Sequence, residues 1–150
     1  MFILDTNVVS ELRKAGAGKA DNHVAAWSGS VDAATLFISA ITVMELDTGI
    51  LQIERKDTRQ GLLLRSWMDE HVLPEFAGRV LPIDTTVARC CARLHVPDRR
   101  SERDALIAAT AIVHSMTVVT RNVSDFEPAG ASTLNPWKAQ HSEDKGRSSH

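Results

Sequence analysis

Met1-Phe2-Ile3-Leu4-Asp5-Thr6-Asn7 opens the chain with four apolar residues that run straight into a carboxylate and two helix-capping side chains. That order predicts a short buried strand, a tight turn and a helix over about Val8–Arg13. A similar transition follows at Leu36-Phe37-Ile38-Ser39, where Ser39 is a good N-cap for a helix from Ala40 to about Ile53. A third strand, Thr117-Val118-Val119-Thr120, comes directly after a helical pattern from about Glu102 to His114. Short apolar strands alternating with helices predict an α/β fold: a three-layer α/β/α arrangement with a central, mostly parallel sheet covered on both faces.

The segments between fit the same frame. Lys14–Ala20 is a basic loop of small residues, and His23–Ser30 reads as a helix. From Asp57 to about Val72, Leu64, Trp67, Met68 and Val72 recur at helical spacing, with Pro74 expected to stop the helix. Arg79–Asp84 reads as a short strand, and Pro82 places it at a sheet edge. Thr85–Leu94 is a helix, Pro97–Ser101 a charged loop, and Ser132–Leu134 a short last strand. One domain over residues 1–137 is expected, with a disordered tail over 138–150 that lacks apolar periodicity.

Composition sets further bounds. The 150 residues are 43% apolar and 24% charged, with a net charge of −2. Bulk charge therefore does not favour coating nucleic acid, although a local basic strip remains available for it. No apolar run approaches the ~20 residues of a bilayer span, and the N-terminus lacks a secretory pattern, so the expectation is a cytoplasmic protein with no membrane partner. Cys90 and Cys91 are adjacent within one helix, hence poor disulfide partners suited to a reducing compartment.

Three carboxylates stand out because each sits where an apolar run meets a turn or a helix: Asp5, Glu45 and Asp104. Ile107, Ala108, Ala111 and Ile112 follow Asp104 at helical spacing, which puts its carboxylate on a face expected to be buried. Each acid has an ordinary explanation alone: Asp5 as a helix cap, Glu45 as a surface residue, Asp104 as compensation of a helix dipole. Together they point elsewhere. Ligands of open α/β sheets gather at the carboxyl ends of strands, where Asp5 lies and where Asn122 and Asp125 follow Thr120. Two carboxylates ~4 Å apart repel by ~4 kcal/mol at an effective dielectric of ~20, so gathering three calls for a cation. Oxygen ligands suit magnesium, with manganese also possible, and hence phosphoryl transfer. In that reading Asp5 and Asp104 are the principal ligands, Glu45 completes or orients the site, and Thr6 and Asn7 hold the Asp5 carboxylate.

At these residues the chain resembles the PIN-domain ribonucleases of the VapC and FitB toxin type. The matching stretches are Ile3–Asn7, Ile38–Leu46 with Gly49, Asp104–Ala111, Met116–Asn122 and Leu134–Trp137, in the family's order and near its spacing. The resemblance implies a PIN-like fold, magnesium- or manganese-dependent cleavage of RNA to a 5′-phosphate and a 3′-hydroxyl, and a cognate antitoxin, a small DNA-binding protein. It carries Asp5, Glu45 and Asp104 over as the acidic site positions. The fourth position differs: Asn122 stands where many members have Asp, with Asp125 three residues later, so either Asp125 joins the catalytic set or Asn122 lends only a neutral oxygen. Arg13, Lys14 and Lys19, with Arg99, Arg100 and Arg103, form a candidate RNA-binding rim. The helices from Thr42 to Val72 offer a homodimer face.

Competing readings are weaker. A catalytically weak PIN-like module that binds RNA or protein is favoured by Asn122 and opposed by the three retained acids. A phosphatase of the haloacid-dehalogenase type wants Asp rather than Asn7, and a receiver domain wants Lys where Arg121 stands. Gly16-Ala17-Gly18-Lys19 lacks the rest of a phosphate-binding loop, and neither zinc-ligand spacing nor a nucleophile elbow is present. Trp27, Trp67 and Trp137 are read as packing residues rather than base-stacking platforms.

Overall fold

The computed structural model describes residues 1–140, so most of the expected tail, residues 141–150, lies outside the described residues. In chain order the elements are β1 (Phe2–Leu4), α1 (Thr6–Arg13), α2 (Asn22–Ser30), β2 (Leu36–Ser39), α3 (Ala40–Lys56) and α4 (Thr58–Trp67). A π-helical turn, Met68–Val72, carries α4 into the short α5 (Leu73–Glu75). Then come β3 (Val80–Leu81), α6 (Thr85–Leu94), α7 (Glu102–Val113), β4 (Thr117–Val119) and β5 (Thr133–Leu134).

The strands form one sheet in the order β3-β2-β1-β4-β5, and all its pairings are parallel. Alternate side chains fill opposite layers. Leu4, Leu36, Ile38 and Val119 join Val8, Trp27, Leu46, Ile50, Leu64 and Met68 in a core beneath α1 to α4. Ile3 and Val118 face the other way, onto Ile107, Ala108, Ala111, Met116 and Phe126. Outside α7, α6 adds a small third cluster around Val87, Cys90, Cys91, Ala105 and Ala109, with both cysteines buried and unbridged. This is the expected three-layer α/β/α fold, and burial of the strands on both faces is why they read as unbroken apolar runs.

Three details refine the sequence reading. Helix α1 begins at Thr6, because the Asp5 carboxylate accepts the Thr6 amide hydrogen and caps the helix at once. Pro74 does not end the helical path, which runs one residue further to Glu75. The preceding π turn shifts the hydrogen-bond register just where the proline ring would otherwise meet the carbonyl four residues back. Ile112 is 37% exposed, since two helical turns beyond Asp104 the buried stripe has rotated off the core. Gly61 lets α4 lie close against α3: a Cβ there would stand 2.8 Å from the Glu54 Cα.

Candidate active site

Parallel register places the site. Leu4 pairs with Val119, so the next residues, Asp5 and Thr120, leave adjacent strands at the same edge, and the Asp5 amide donates to the Val119 carbonyl at 2.9 Å. Strand β2 ends beside them, and Ser39 caps α3 through the Ile41 amide at 3.0 Å, as its sequence position predicts. Helix α3 then brings Glu45 over the strand ends from one side. Helix α7 brings Asp104 from the other, in its first turn.

Asp5 is only 7% exposed, and both of its carboxylate oxygens accept hydrogen bonds. Oδ1 accepts the Thr6 amide at 2.8 Å, while Oδ2 accepts the Thr120 hydroxyl at 2.8 Å and the Asn7 side-chain amide at 3.3 Å. The Thr6 hydroxyl donates to Glu45 Oε1 at 2.8 Å, and Thr42 Oγ1 lies 3.3 Å from it, so a single side chain couples α1 to α3. Arg103 Nη1 stands 3.5 Å from Glu45 Oε2 on a side chain that is 54% exposed.

The electrostatics identify four acids in one field. Burial pushes the Asp5 carboxyl above its ordinary range, and Glu45 and Asp125 push it further, against the lowering effect of Thr120 and Thr6. Burial likewise raises Asp104, followed by repulsion from Asp5, Asp125 and Glu45, with Ser101 opposing. Asp125, in a 3₁₀ turn (Val123–Asp125) after β4, therefore shares the field of Asp5 and Asp104, while Asn122 is exposed at the head of that turn. Among the described residues no group of three His, Cys, Asp or Glu side chains is arranged to hold an ion by itself. The donor chemistry still fits a hard divalent cation, since magnesium keeps several waters and uses one or two carboxylates plus substrate phosphate.

Thr120 is a site residue that sequence reasoning missed. It is wholly buried, donates to Asp5 and accepts the Asn122 amide at 3.0 Å, so it orders both the carboxylate and the following turn. The available signal was its place at the end of an apolar strand, just before Asn122. The basic residues divide into groups. Arg13, Lys14, Lys19 and Arg99 are exposed, and Lys14 pairs with Glu11 at 3.2 Å. Arg100 is turned inward: its guanidinium donates to the Leu94 carbonyl at 2.8 Å and the Pro128 carbonyl at 3.1 Å, which ties the end of α6 to the segment after Asp125. Trp27 is a packing residue, edge-on to Phe2 at 5.4 Å between ring centroids. Trp67 and Trp137 are half-buried and line a cleft of about 570 Å³ that borders Thr6, Asn7 and Glu45.

The family model described as PIN domain matches residues 2–127. "VapC ribonuclease Y4jK" of Sinorhizobium fredii is 41% identical over 143 residues, which is 92% of this chain and 99% of that protein. "Toxin FitB" of Neisseria gonorrhoeae is 36% identical over 143 residues, covering 91% of this chain and 99% of its own length. Among solved structures, FitAB bound to an IR36 DNA fragment superposes with a TM-score of 0.84 at 35% identity, covering 95% of this chain and 99% of that one.

Proposed function

We propose, from the premise that this chain belongs to the PIN-domain family, that it is a metal-dependent endoribonuclease acting as the toxin of a toxin–antitoxin pair. The observation that carries the reading is the convergence of Asp5, Glu45, Asp104 and Asp125 on one end of the sheet, where Asp5 and Asp104 are destabilised as anions by burial and by the other acids. A fold gains nothing from such an arrangement unless a cation and a phosphate arrive to use it.

Asp5 and Asp104 would hold magnesium, or manganese in its place, directly or through water, with Glu45 completing the set. When bound, the ion acidifies water and neutralises charge on the attacking and leaving oxygens of the phosphodiester. The chain's own residues prepare that step. Thr6, Asn7 and Thr120 fix both oxygens of Asp5, and the Thr6 hydroxyl also fixes Glu45, so the acids need little rearrangement as substrate binds. At the fourth position Asp125 supplies the remaining negative charge, and Asn122 supports the turn that carries it. Arg103, poised beside Glu45, is placed to meet a phosphate once a cation occupies the acids, with Arg13, Lys14 and Arg99 along the rim.

The partner of this toxin is an antitoxin of DNA-binding type, in keeping with the likeness to FitAB on DNA. The setting is cytoplasmic, and no helix among the described residues is long and apolar enough to cross a membrane. A homodimer through the exposed Leu51, Leu62 and Leu63 of α3 and α4 belongs to the same proposal.

The test is cleavage of a panel of fluorescent RNAs by the purified chain with magnesium, manganese or EDTA. The expected result is ion-dependent cutting that falls at least ~100-fold in Asp5→Asn and in Asp104→Asn, both still folded. A folded, antitoxin-free protein that binds RNA but cuts none of the panel with either ion would instead be a non-catalytic module.

A further inference from the structure

We propose that the cleft between α1, the α3–α4 hairpin and the C-terminal segment is a nucleotide subsite, which seats an unpaired RNA base next to the phosphate held at the acidic cluster. The inference rests on the ribonuclease reading and adds to it the place where one base is gripped.

The cleft measures about 570 Å³ and is open to solvent, within the ~300–1,000 Å³ typical of small-molecule sites and too confined for a duplex. Its walls carry two arginine–indole stacks. The Arg13 guanidinium lies 6.0 Å from the Trp67 ring centroid, and that of Arg121 lies 5.0 Å from the Trp137 centroid. Neither guanidinium is within ion-pair distance of a carboxylate among the described residues, so both positive charges remain to meet phosphate. By contrast Lys14, on the same wall, is engaged with Glu11. A flat π surface with a flat cation against it is what an unpaired base and its phosphate require together.

The second stack is held in place. Asn135 accepts the Trp137 amide through its side-chain oxygen at 2.9 Å and donates its side-chain amide to the Arg121 carbonyl at 3.4 Å, so one residue clips both halves of the pair. The Arg121 amide in turn donates to the Asn7 side-chain oxygen at 3.4 Å, and Asn7 also contacts Asp5. A continuous set of contacts thus leads from the Trp137 wall to the catalytic carboxylate. Glu45 belongs to both regions, so a base in the cleft places its phosphate beside the acids. On the α3 wall Gly49 faces open space, where a Cβ would meet nothing within 4 Å.

The experiment uses tryptophan emission in EDTA with single-stranded RNA hexamers of each base and an abasic hexamer as probes. Trp27, buried and distant in role, supplies a constant background. Saturable quenching is expected from base-bearing hexamers and not from the abasic one. Trp137→Leu and Arg121→Gln should each weaken it about tenfold or more, while Trp137→Phe largely preserves binding. With magnesium present, Arg121→Gln should raise KM for RNA cleavage with kcat little changed. Equal affinity for the abasic hexamer, or binding untouched by Arg121→Gln, overturns the subsite even if the protein cuts RNA. Quenching with the expected variant pattern but no cutting keeps the subsite and removes the nuclease reading. A cleft whose indoles respond only to a bound antitoxin, and never to RNA, overturns the proposal and gives the surface to protein recognition.

Discussion

Helix α3 carries two acids two residues apart that meet opposite fates. Asp47 joins Glu54 around Arg65 of α4, at 2.7 and 3.2 Å, and the two carboxylates raise the arginine pKa while sharing its charge. Glu45 instead shares the field of Asp5 and Asp104, where the cation in reach is the half-exposed Arg103 at 3.5 Å. The first cluster is complete as it stands: acids outnumber bases, but every carboxylate has a donor and the group staples a helical hairpin. In the second, Asp5 and Glu45 are ordered by hydroxyls and amides that supply hydrogen bonds and no charge, and Arg103 touches only Glu45. Grouped acids closed around a shielded arginine are architecture, whereas acids ordered by threonine and asparagine, with a half-exposed arginine at their edge, keep the repulsion that a metal-binding reading would use.

The largest effect that distinguishes the two clusters is stabilisation by an added divalent cation. Magnesium or manganese at one hundred times its Kd should stabilise the chain by ~2.7 kcal/mol, or roughly 5–10 °C in Tm for a chain of this length. Asp104→Asn should remove most of that shift, and Asp47→Asn none of it. Differential scanning fluorimetry with an ion titration reads both; a Tm indifferent to either ion would put the acidic cluster in the same class as the Arg65 staple.

A smaller effect concerns the ion-free protein, in which neutralising one acid should act in opposite directions at the two places. Asp104→Asn relieves repulsion and a partly desolvated charge, so urea unfolding in EDTA should show a more stable protein. Asp47→Asn loses a partly exposed ion pair and should cost about 0.2–1 kcal/mol. If Asp104→Asn is the more destabilising of the two, the carboxylate is holding the fold together and the contrast fails.

Much of this fold is legible in the sequence alone. The strand-to-helix transitions at Asp5 and Ser39 are local chemistry, an apolar run followed by a capping side chain, and they appear almost where the residues place them. The acidic residues stand out in the sequence because each sits where an apolar run meets a turn or a helix. What stayed hidden depends on long-range register. Thr120 looks like any strand-ending threonine until β4 is paired with β1, and Arg100 looks like any loop cation until Leu94 and Pro128 present their carbonyls. Trp67 fits an amphipathic stripe, yet that stripe reaches the cleft edge, where one indole serves both core and surface. The helix across Pro74 was hidden for another reason: a π turn has no simple residue signature.

The smallest expected effect is in the pH dependence of stability without metal. Asp5 and Asp104 have folded pKa values above the unfolded 3.8, so between the unfolded and folded values the native state binds more protons than the unfolded chain. Their contribution is most favourable below pH ~4, declines as pH rises through the raised folded values, and is then constant. Glu11 runs the other way, because the Asp21 amide and then Lys14 hold its pKa down, so its contribution appears as pH rises and is lost in acid. Wild type in EDTA sums these opposing slopes. Asp5→Asn/Asp104→Asn should leave the Glu11 slope by itself, so the variant gains stability relative to wild type as pH increases from about 4 to 7. Urea midpoints at several pH values measure that difference, and a gap that narrows with rising pH would mean the two acids are stabilised as anions in the fold.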